Sequence, residues 1–442
     1  MRRDEPNGGV GASRRALLGT AAAMAAGRLA GADAGVVVGE PLAIDGGRPA
    51  VTLAAARQVE ASRWPLYGPE DEAAVLDVLR NPGYGPIDDL ERDWRDYFGA
   101  PFAKAHCNGT SAIAAMFFAL GLPPGSGVMV PSYTFFASIV PMRLFGLVPV
   151  FVDVDPRTLN FDVDDARKRL TKDVKALMPV HWMGLPCPMD DVSAFAREKG
   201  LILLEDVAHA PGASYRGKLL GGWGRMSIFS YQSSKPLPAL EGGMGMYQER
   251  ADFERATAFG HSDVPARFPA DSPYKRYAGT GLGLKLRMNP MAAALARAQL
   301  GRLAPRNASG AAQVRRLNDR LAQLPGLIEP PCPADAGRIY YANNILFLDE
   351  ARAGATRAAI VKALRAEGVQ AREHRYPLQH KLPLYAEAEW WSRKPEIPEL
   401  PGSEQANRTA IALPYFTSEA PELIDQYAQA FEKVWAHRSK LS

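Results

Sequence analysis

Residues 227–247 read SIFSYQSSKPLPALEGGMGMY. An apolar run holding Ile228 and Phe229 enters a polar turn with a single lysine, Lys235. Glu241-Gly242-Gly243 and a second apolar run follow. A lysine between two strands of buried character, with no acid before Glu241, sits where an ammonium is hard to solvate. Such a site frees the amine to attack a carbonyl, the chemistry of a Schiff-base lysine. Taken alone, the segment fits a solvated turn lysine better. The rest of the chain reverses that.

Upstream, strands of four to six apolar residues alternate with helices. HCNGTSA (106–112) precedes a helix to about Leu120, and Val128–Val130 is a short buried strand before a helix at Thr134–Phe145. Strands at Pro149–Asp153, Ala176–Val180 and Leu201–Glu205 alternate with helices at Val163–Leu170 and Met189–Lys199. Crossover units of this kind make a mostly parallel sheet covered on both faces, an α/β architecture. Before them stand a loose arm (35–65) and helices at Pro69–Arg80 and Ile87–Phe98. After them come a helix at Ala251–Phe259, a patternless stretch at His261–Gly283, and helices at Asn289–Leu303 and Ala311–Gln323. Beyond Pro330-Pro331 a strand at Tyr340–Leu348, a helix at Thr356–Glu367, a strand at Val369–Arg372 and a closing helix at Asp425–His437 read as a smaller α+β domain. The expected division is 1–34 leader, 35–305 arm and large domain, and 306–442 small C-terminal domain.

The 442 residues exceed one ordinary core. Hydrophobic content of 47% and charged content of 23% are those of a soluble globular protein. Of the net charge of +4, the first 32 residues supply +3, from five arginines against two acids. The near-neutral remainder gives a nucleic acid or an anionic membrane no electrostatic grip. Ser13-Arg14-Arg15-Ala16-Leu17-Leu18-Gly19, an Ala-rich run and A-x-A sites near Ala32 resemble a twin-arginine export signal. A periplasmic or otherwise exported protein is expected, with a cytoplasmic one as the alternative. The apolar run is too short to anchor the chain in a membrane. Cys107, Cys187 and Cys332 are widely spaced, which indicates neither a disulfide framework nor a metal site, and each reads as a small buried apolar residue.

Three further segments carry chemistry. Asn108-Gly109-Thr110-Ser111 opens a helix, where free N–H groups and two hydroxyls suit a phosphate; an ordinary N-cap uses the same residue types. Leu203–Ala210 (LLEDVAHA) puts Glu205 and Asp206 at the carboxyl end of a strand, with His209 three residues on. A carboxylate buried there needs a cation, and a protonated pyridine nitrogen is one; Asp206 could equally cap a helix. Phe135 follows another strand end and could stack on a flat ring or pack in the core.

In this order, the segments HCNGTSA, VPSYTFFAS (130–138), PVFVDVDPRTLNFD (149–162), LMPVHWMG (177–184), LLEDVAHAPGASYRGKLLGGWG (203–224), FSYQSSK and EGGM resemble the DegT/DnrJ/EryC1/StrS family. Its members are sugar aminotransferases dependent on pyridoxal 5'-phosphate (PLP), of fold type I. The resemblance runs from about Trp64 to Trp435. It implies a large domain with a seven-stranded, mostly parallel sheet, a small C-terminal α+β domain, and a homodimer with sites at the subunit interface. Lys235 would form the Schiff base and later move the proton, and Asp206 would hold the pyridinium N–H. His209 would lie by the cofactor's hydroxyl edge and Phe135 on its ring. Gly109, Thr110, Ser111 and Ser230 would hold the phosphate. The implied reaction carries an amino group from an amino acid, glutamate or glutamine, to a keto sugar or cyclitol. Tyr376-Pro377-Leu378-Gln379-His380 matches a small-domain segment of the family. Two departures stand out. Lys285, in Gly283-Leu284-Lys285-Leu286-Arg287-Met288, occupies the place of an asparagine that reaches the phosphate across the dimer, and prolines 236 and 238 follow Lys235. Rival readings are a PLP-dependent sugar dehydratase, whose branch has histidine in place of the lysine, and an idle exported relative that binds a sugar or glycan.

Overall fold

The structure is a computed structural model that describes residues 40–441. The export-type leader and Val36–Val38 lie outside the described residues. Two helices, α1 (Pro69–Arg80) and α2 (Gly85–Phe98), lead into the main sheet. Its strands are β1 (Phe102–His106), β2 (Gly127–Pro131), β3 (Val148–Val152), β4 (Val174–Leu177), β5 (Ile202–Asp206), β6 (Met226–Ser230) and β7 (Gly243–Tyr247). Their order across the sheet is β1-β7-β6-β5-β4-β2-β3. Only β7 runs against its neighbours, pairing antiparallel with both β1 and β6. The expected seven-stranded, mostly parallel sheet is present. All five residues of β2 and of β7 are buried, as strands covered on both faces must be. The covering helices include α3 (Gly109–Leu120), α4 (Val163–Arg169), α5 (Met189–Lys199) and α6 (Arg250–Gly260).

In the large domain, one stretch differs from the reading of the sequence. The helix expected over Thr134–Phe145 is instead a pair of 3-10 turns, Phe136–Ser138 and Val140–Phe145. Pro141 removes a donor and clashes with a preceding helical turn, so a continuous α-helix cannot form there. The stretch 261–283 holds only short 3-10 turns, but its sequel folds back onto β1: the Cys107 N–H donates to the Leu286 carbonyl at 2.7 Å.

After helices α7 (Pro290–Gly301) and α8 (Leu303–Leu321), an antiparallel sheet forms from β8 (Leu327–Ile328), β9 (Asn343–Leu348), β10 (Arg372–Glu373) and β11 (Ala410–Pro414) in the order β8-β9-β11-β10. Around it lie α9 (Arg357–Ala366), α10 (Pro401–Thr409) and α11 (Pro421–Ala436). Strand β9 starts three residues later than expected, because Ala342 takes a left-handed φ of 59°. Of the strand expected at Val369–Arg372, only Arg372 pairs, followed by Glu373.

The described part of the arm, expected to be loose, is fixed. Glu367, fully buried, accepts the N–H groups of Ala43 (2.7 Å) and Ala50 (2.8 Å) and pairs with Lys433 at 3.0 Å. Asp153, just after β3, accepts the N–H groups of Gly402 (2.7 Å) and Ser403 (2.8 Å), so it caps α10 and ties the two sheets together. Glu205 does the same inside the main sheet. It is fully buried and accepts N–H groups from Gly221 (2.9 Å), Trp223 (2.7 Å) and Gly224 (2.7 Å). Cys187 is buried as expected, but Cys332 is exposed and Cys107 half-buried.

Glu205→Gln replaces one acceptor oxygen by an amide that faces N–H donors. The substitution should lower unfolding stability by about 2–4 kcal/mol, read from a denaturant melt of the cofactor-free protein.

Candidate active site

Short strands of a parallel sheet end together, so side chains just past their carboxyl ends converge on one crevice. Here that crevice is a cavity of about 980 Å³. Its walls include Asn108, Gly109 and Thr110 after β1, Phe135 and Ser138 after β2, Asp206 and His209 from β5, Ser230 at the end of β6, and Lys235 beyond it. Eight of the residues expected at the site by number are placed as follows: seven (Gly109, Thr110, Phe135, Asp206, His209, Ser230 and Lys235) line this one cavity, and Ser111 does not. The Ser111 hydroxyl lies 3.1 Å from Cys107 Sγ, and its N–H donates to Asn108 Oδ1 at 2.8 Å. Lys285, the ninth, is exposed and lies outside this chain's cavity.

Lys235 is carried by the connection between β6 and β7. The Ala239 N–H donates to the Tyr231 carbonyl and the Tyr231 N–H to the Gly242 carbonyl, so the loop is pinned across its base. Prolines 236 and 238 are buried within it. The lysine amine lies 4.7 Å from the centroid of the Tyr341 ring, a cation–π contact. The Tyr341 hydroxyl is 3.0 Å from Ser234 Oγ, which holds the ring in place.

Asp206 is 3% exposed. Ser138 Oγ donates to its Oδ2 at 2.7 Å and the Ala208 N–H to its Oδ1 at 3.0 Å. Burial pushes the carboxyl up from its ordinary value, against the pull of those two donors and of the Lys235 charge. His209 packs between Trp182 (4.8 Å between centroids) and Tyr341 (4.4 Å). Burial, then the Lys235 charge, holds it well below the usual histidine range, so it is neutral, and its Nδ1 is buried with no partner among the described residues.

The first turn of α3 closes tightly on the neighbouring strands. A Cβ on Gly109 would lie 2.9 Å from Ser230 Cβ, and one on Gly243 would lie 2.7 Å from the Gly109 nitrogen. Only glycines allow this approach, and it leaves N–H groups of the helix N-terminus beside the Ser230 hydroxyl.

A model of the DegT/DnrJ/EryC1/StrS aminotransferase family matches residues 68–432. The chain belongs to this family. GDP-perosamine synthase of Caulobacter vibrioides is 34% identical over 305 residues, 68% of this chain and 78% of that one. The spore coat polysaccharide biosynthesis protein SpsC of Bacillus subtilis is 29% identical over 84% of this chain and 95% of its own. The crystal structure of an aminotransferase from Psychrobacter cryohalolentis superposes with a TM-score of 0.77 at 25% identity, covering 85% of this chain and 99% of that one. The chain is thus an enzyme, a PLP-dependent aminotransferase. Its cavity fits that cofactor: a close glycine cradle at a helix N-terminus, a buried carboxyl short of a cation, and an unpaired histidine nitrogen.

The sequence did not single out Ser138, Trp182 or Tyr341. The first two stand inside segments quoted above, but nothing in their spacing marks them. Tyr341 comes from just before β9 and meets Lys235 only through the fold. His374 and Tyr376, beyond β10, close the same cavity. Burial, then the charges of Arg372 and Arg357, pulls His374 down to about 4, so it too is neutral.

Gly109→Ala should weaken PLP binding about tenfold or more, read by titrating the cofactor-free protein and following visible absorbance. Asp206 sets a pH dependence. Its folded value is raised, so the folded cofactor-free chain keeps a proton that the unfolded chain loses from about pH 4 upward. Stability therefore falls as pH rises through that window. Asp206→Asn should match the cofactor-free wild type below it and melt at a higher temperature than wild type at neutral pH.

Proposed function

We propose that this chain transfers an amino group from an amino acid, glutamate or glutamine, to a keto sugar or cyclitol, working as a homodimer. The observation that carries the reading is that Lys235 and Asp206 line one cavity at the strand ends, in a chain of the aminotransferase family. The sugar acceptor is supported by relatives named for perosamine and for polysaccharide biosynthesis.

Each residue then has a task. When bound, PLP supplies an electron sink for charge developing at the substrate carbon. Asp206 would hold the ring N–H, a cation placed where the buried carboxyl lacks one. The neutral Nδ1 of His209 is an acceptor for a hydroxyl at the ring's edge. Gly109 and Thr110 N–H groups with Ser230 Oγ would hold the phosphate, and Phe135 would cover the ring. Lys235 Nζ would accept the proton leaving the donor carbon and give it up again, as the base between the substrate and cofactor carbons. Its loop is fixed at the base, which keeps the amine in reach while the lysine side chain swings. Arg372, which donates to Asn343 Oδ1 at 2.7 Å and has no ion-pair partner among the described residues, is placed to hold the donor carboxylate at the mouth. Lys285 lies on the exposed face beside β1 and would serve the partner subunit's phosphate as a point charge.

Lys235→Ala should reduce amino transfer by about a thousandfold or more while leaving the fold intact. The direct test loads the enzyme with PLP, offers candidate amines, and follows conversion of the cofactor to its amine form by absorbance. Glutamate or glutamine should convert it, and a keto sugar should restore it. Conversion by no amino acid would overturn the reading.

A further inference from the structure

Next to the main cavity lies a second chamber of about 380 Å³. Gln232, Ser234 and Tyr341 line both, so the Lys235 loop and the Tyr341 ring form a common wall. Among the described residues, the one charged residue in the chamber's wall is Arg306, from α8. Its guanidinium lies 5.0 Å from the centroid of the Trp64 ring and donates to Gln299 Oε1 and to the Pro236 carbonyl, both at 2.6 Å. Trp64 Nε1 donates to the Lys235 carbonyl at 3.2 Å.

Arg306 lacks what a half-buried arginine ordinarily has. Among the described residues no carboxylate lies within ion-pair distance of it. The nearest acid, Asp71, is taken by Arg302, Gln299 and the Gly68 N–H. The other groups facing it are Tyr67, Tyr415 and the cation Arg302. Burial pulls the guanidinium down to about 10, which leaves it charged at neutral pH. A guanidinium has five N–H donors in a planar fork, and two bonds to neutral oxygens leave most of them for an anion. Hydroxyls of Ser62, Ser233, Thr417 and Tyr415 line the same space. The first three donate to the carbonyls of Gln58, Leu240 and Arg63 and remain as acceptors, which leaves the Tyr415 O–H as a donor.

We infer that this chamber is a second binding site, for a small polar carboxylate held by the Arg306 guanidinium and the Tyr415 hydroxyl. The volume lies in the range of small-molecule sites. The ligand would sit against the two residues that grip the Lys235 and Pro236 carbonyls, so its occupancy and the position of the lysine loop are linked. Binding there does not require Lys235 to react, so it is measured apart from amino transfer.

The test titrates succinate into the full-length, PLP-saturated enzyme by calorimetry. One succinate should bind per chain. Arg306→Met should weaken it about tenfold or more, with Arg306→Lys, a point charge that can still reach the Pro236 carbonyl, falling between. Ser62→Leu, which fills the chamber but keeps the arginine, should weaken it to a similar degree. Arg372→Ala, in the main cavity, should leave it unchanged. Absence of binding to the wild type overturns the inference, as does binding that survives in both Arg306→Met and Ser62→Leu. Loss of binding in Arg372→Ala overturns it too, because the succinate then lies in the main cavity.

Discussion

A carboxyl group taken out of water costs free energy until donors or a cation replace the water it has lost. Four of the buried acids of this protein answer that cost in two ways. Glu205, Glu367 and Asp153 are saturated: each accepts backbone N–H groups from segments distant in sequence, and Glu367 also meets Lys433. They hold the loop at 221–224, the arm and α10 in place. Asp206 is different. It has one hydroxyl and one N–H and faces a cavity, so its carboxyl stays raised until a cation arrives. The site is arranged around that shortfall.

The topology puts the cation's place within reach of the lysine. β5 and β6 are parallel neighbours, with Asp206 paired to Ile228 in register, so the chain that leaves β6 passes the carboxyl before it turns back as β7. The reversal of β7 brings Gly243 against the Asn108–Gly109 backbone and so sets the phosphate cradle beside the lysine loop. One antiparallel strand in an otherwise parallel sheet thus joins the anion end of the site to its amine end. A side chain at residue 109 or 243 would push these ends apart.

Much of this could be read in the sequence, for physical reasons. Buried parallel strands are short continuous apolar runs, and their alternation with helices fixes the sheet without any partner being known. Lys235, Asp206 and Ser230 lie at strand ends, where the pattern itself marks a boundary. The strand Ala410–Pro414 was not read, although it is central to the second sheet; a five-residue run with two alanines offers little apolar contrast, and α10 before it is polar. The helix assigned at Thr134–Phe145 ignored Pro141. Only the family resemblance tells Asp206 from Glu205 in the sequence, because what separates the two acids physically is three N–H groups arriving from residues 221–224. Tyr341 could not be found at all, since its contact with Lys235 spans more than a hundred residues of sequence.

Charge in the main cavity follows from the same desolvation. Burial makes His209 and His374 neutral, so neither competes with Lys235 or Arg372 for an anion, and both can act as acceptors or donors without adding repulsion. The cations that remain are Lys235, Arg372 and Arg375, with Glu241 and Glu373 in the same lining, and burial raises the carboxyl of Asp206. In the proposed reaction, an amino acid with its carboxylate at Arg372 would direct its amino end inward, toward Lys235. Orientation of the donor is set by where burial has removed charge, as much as by where the sequence has supplied it.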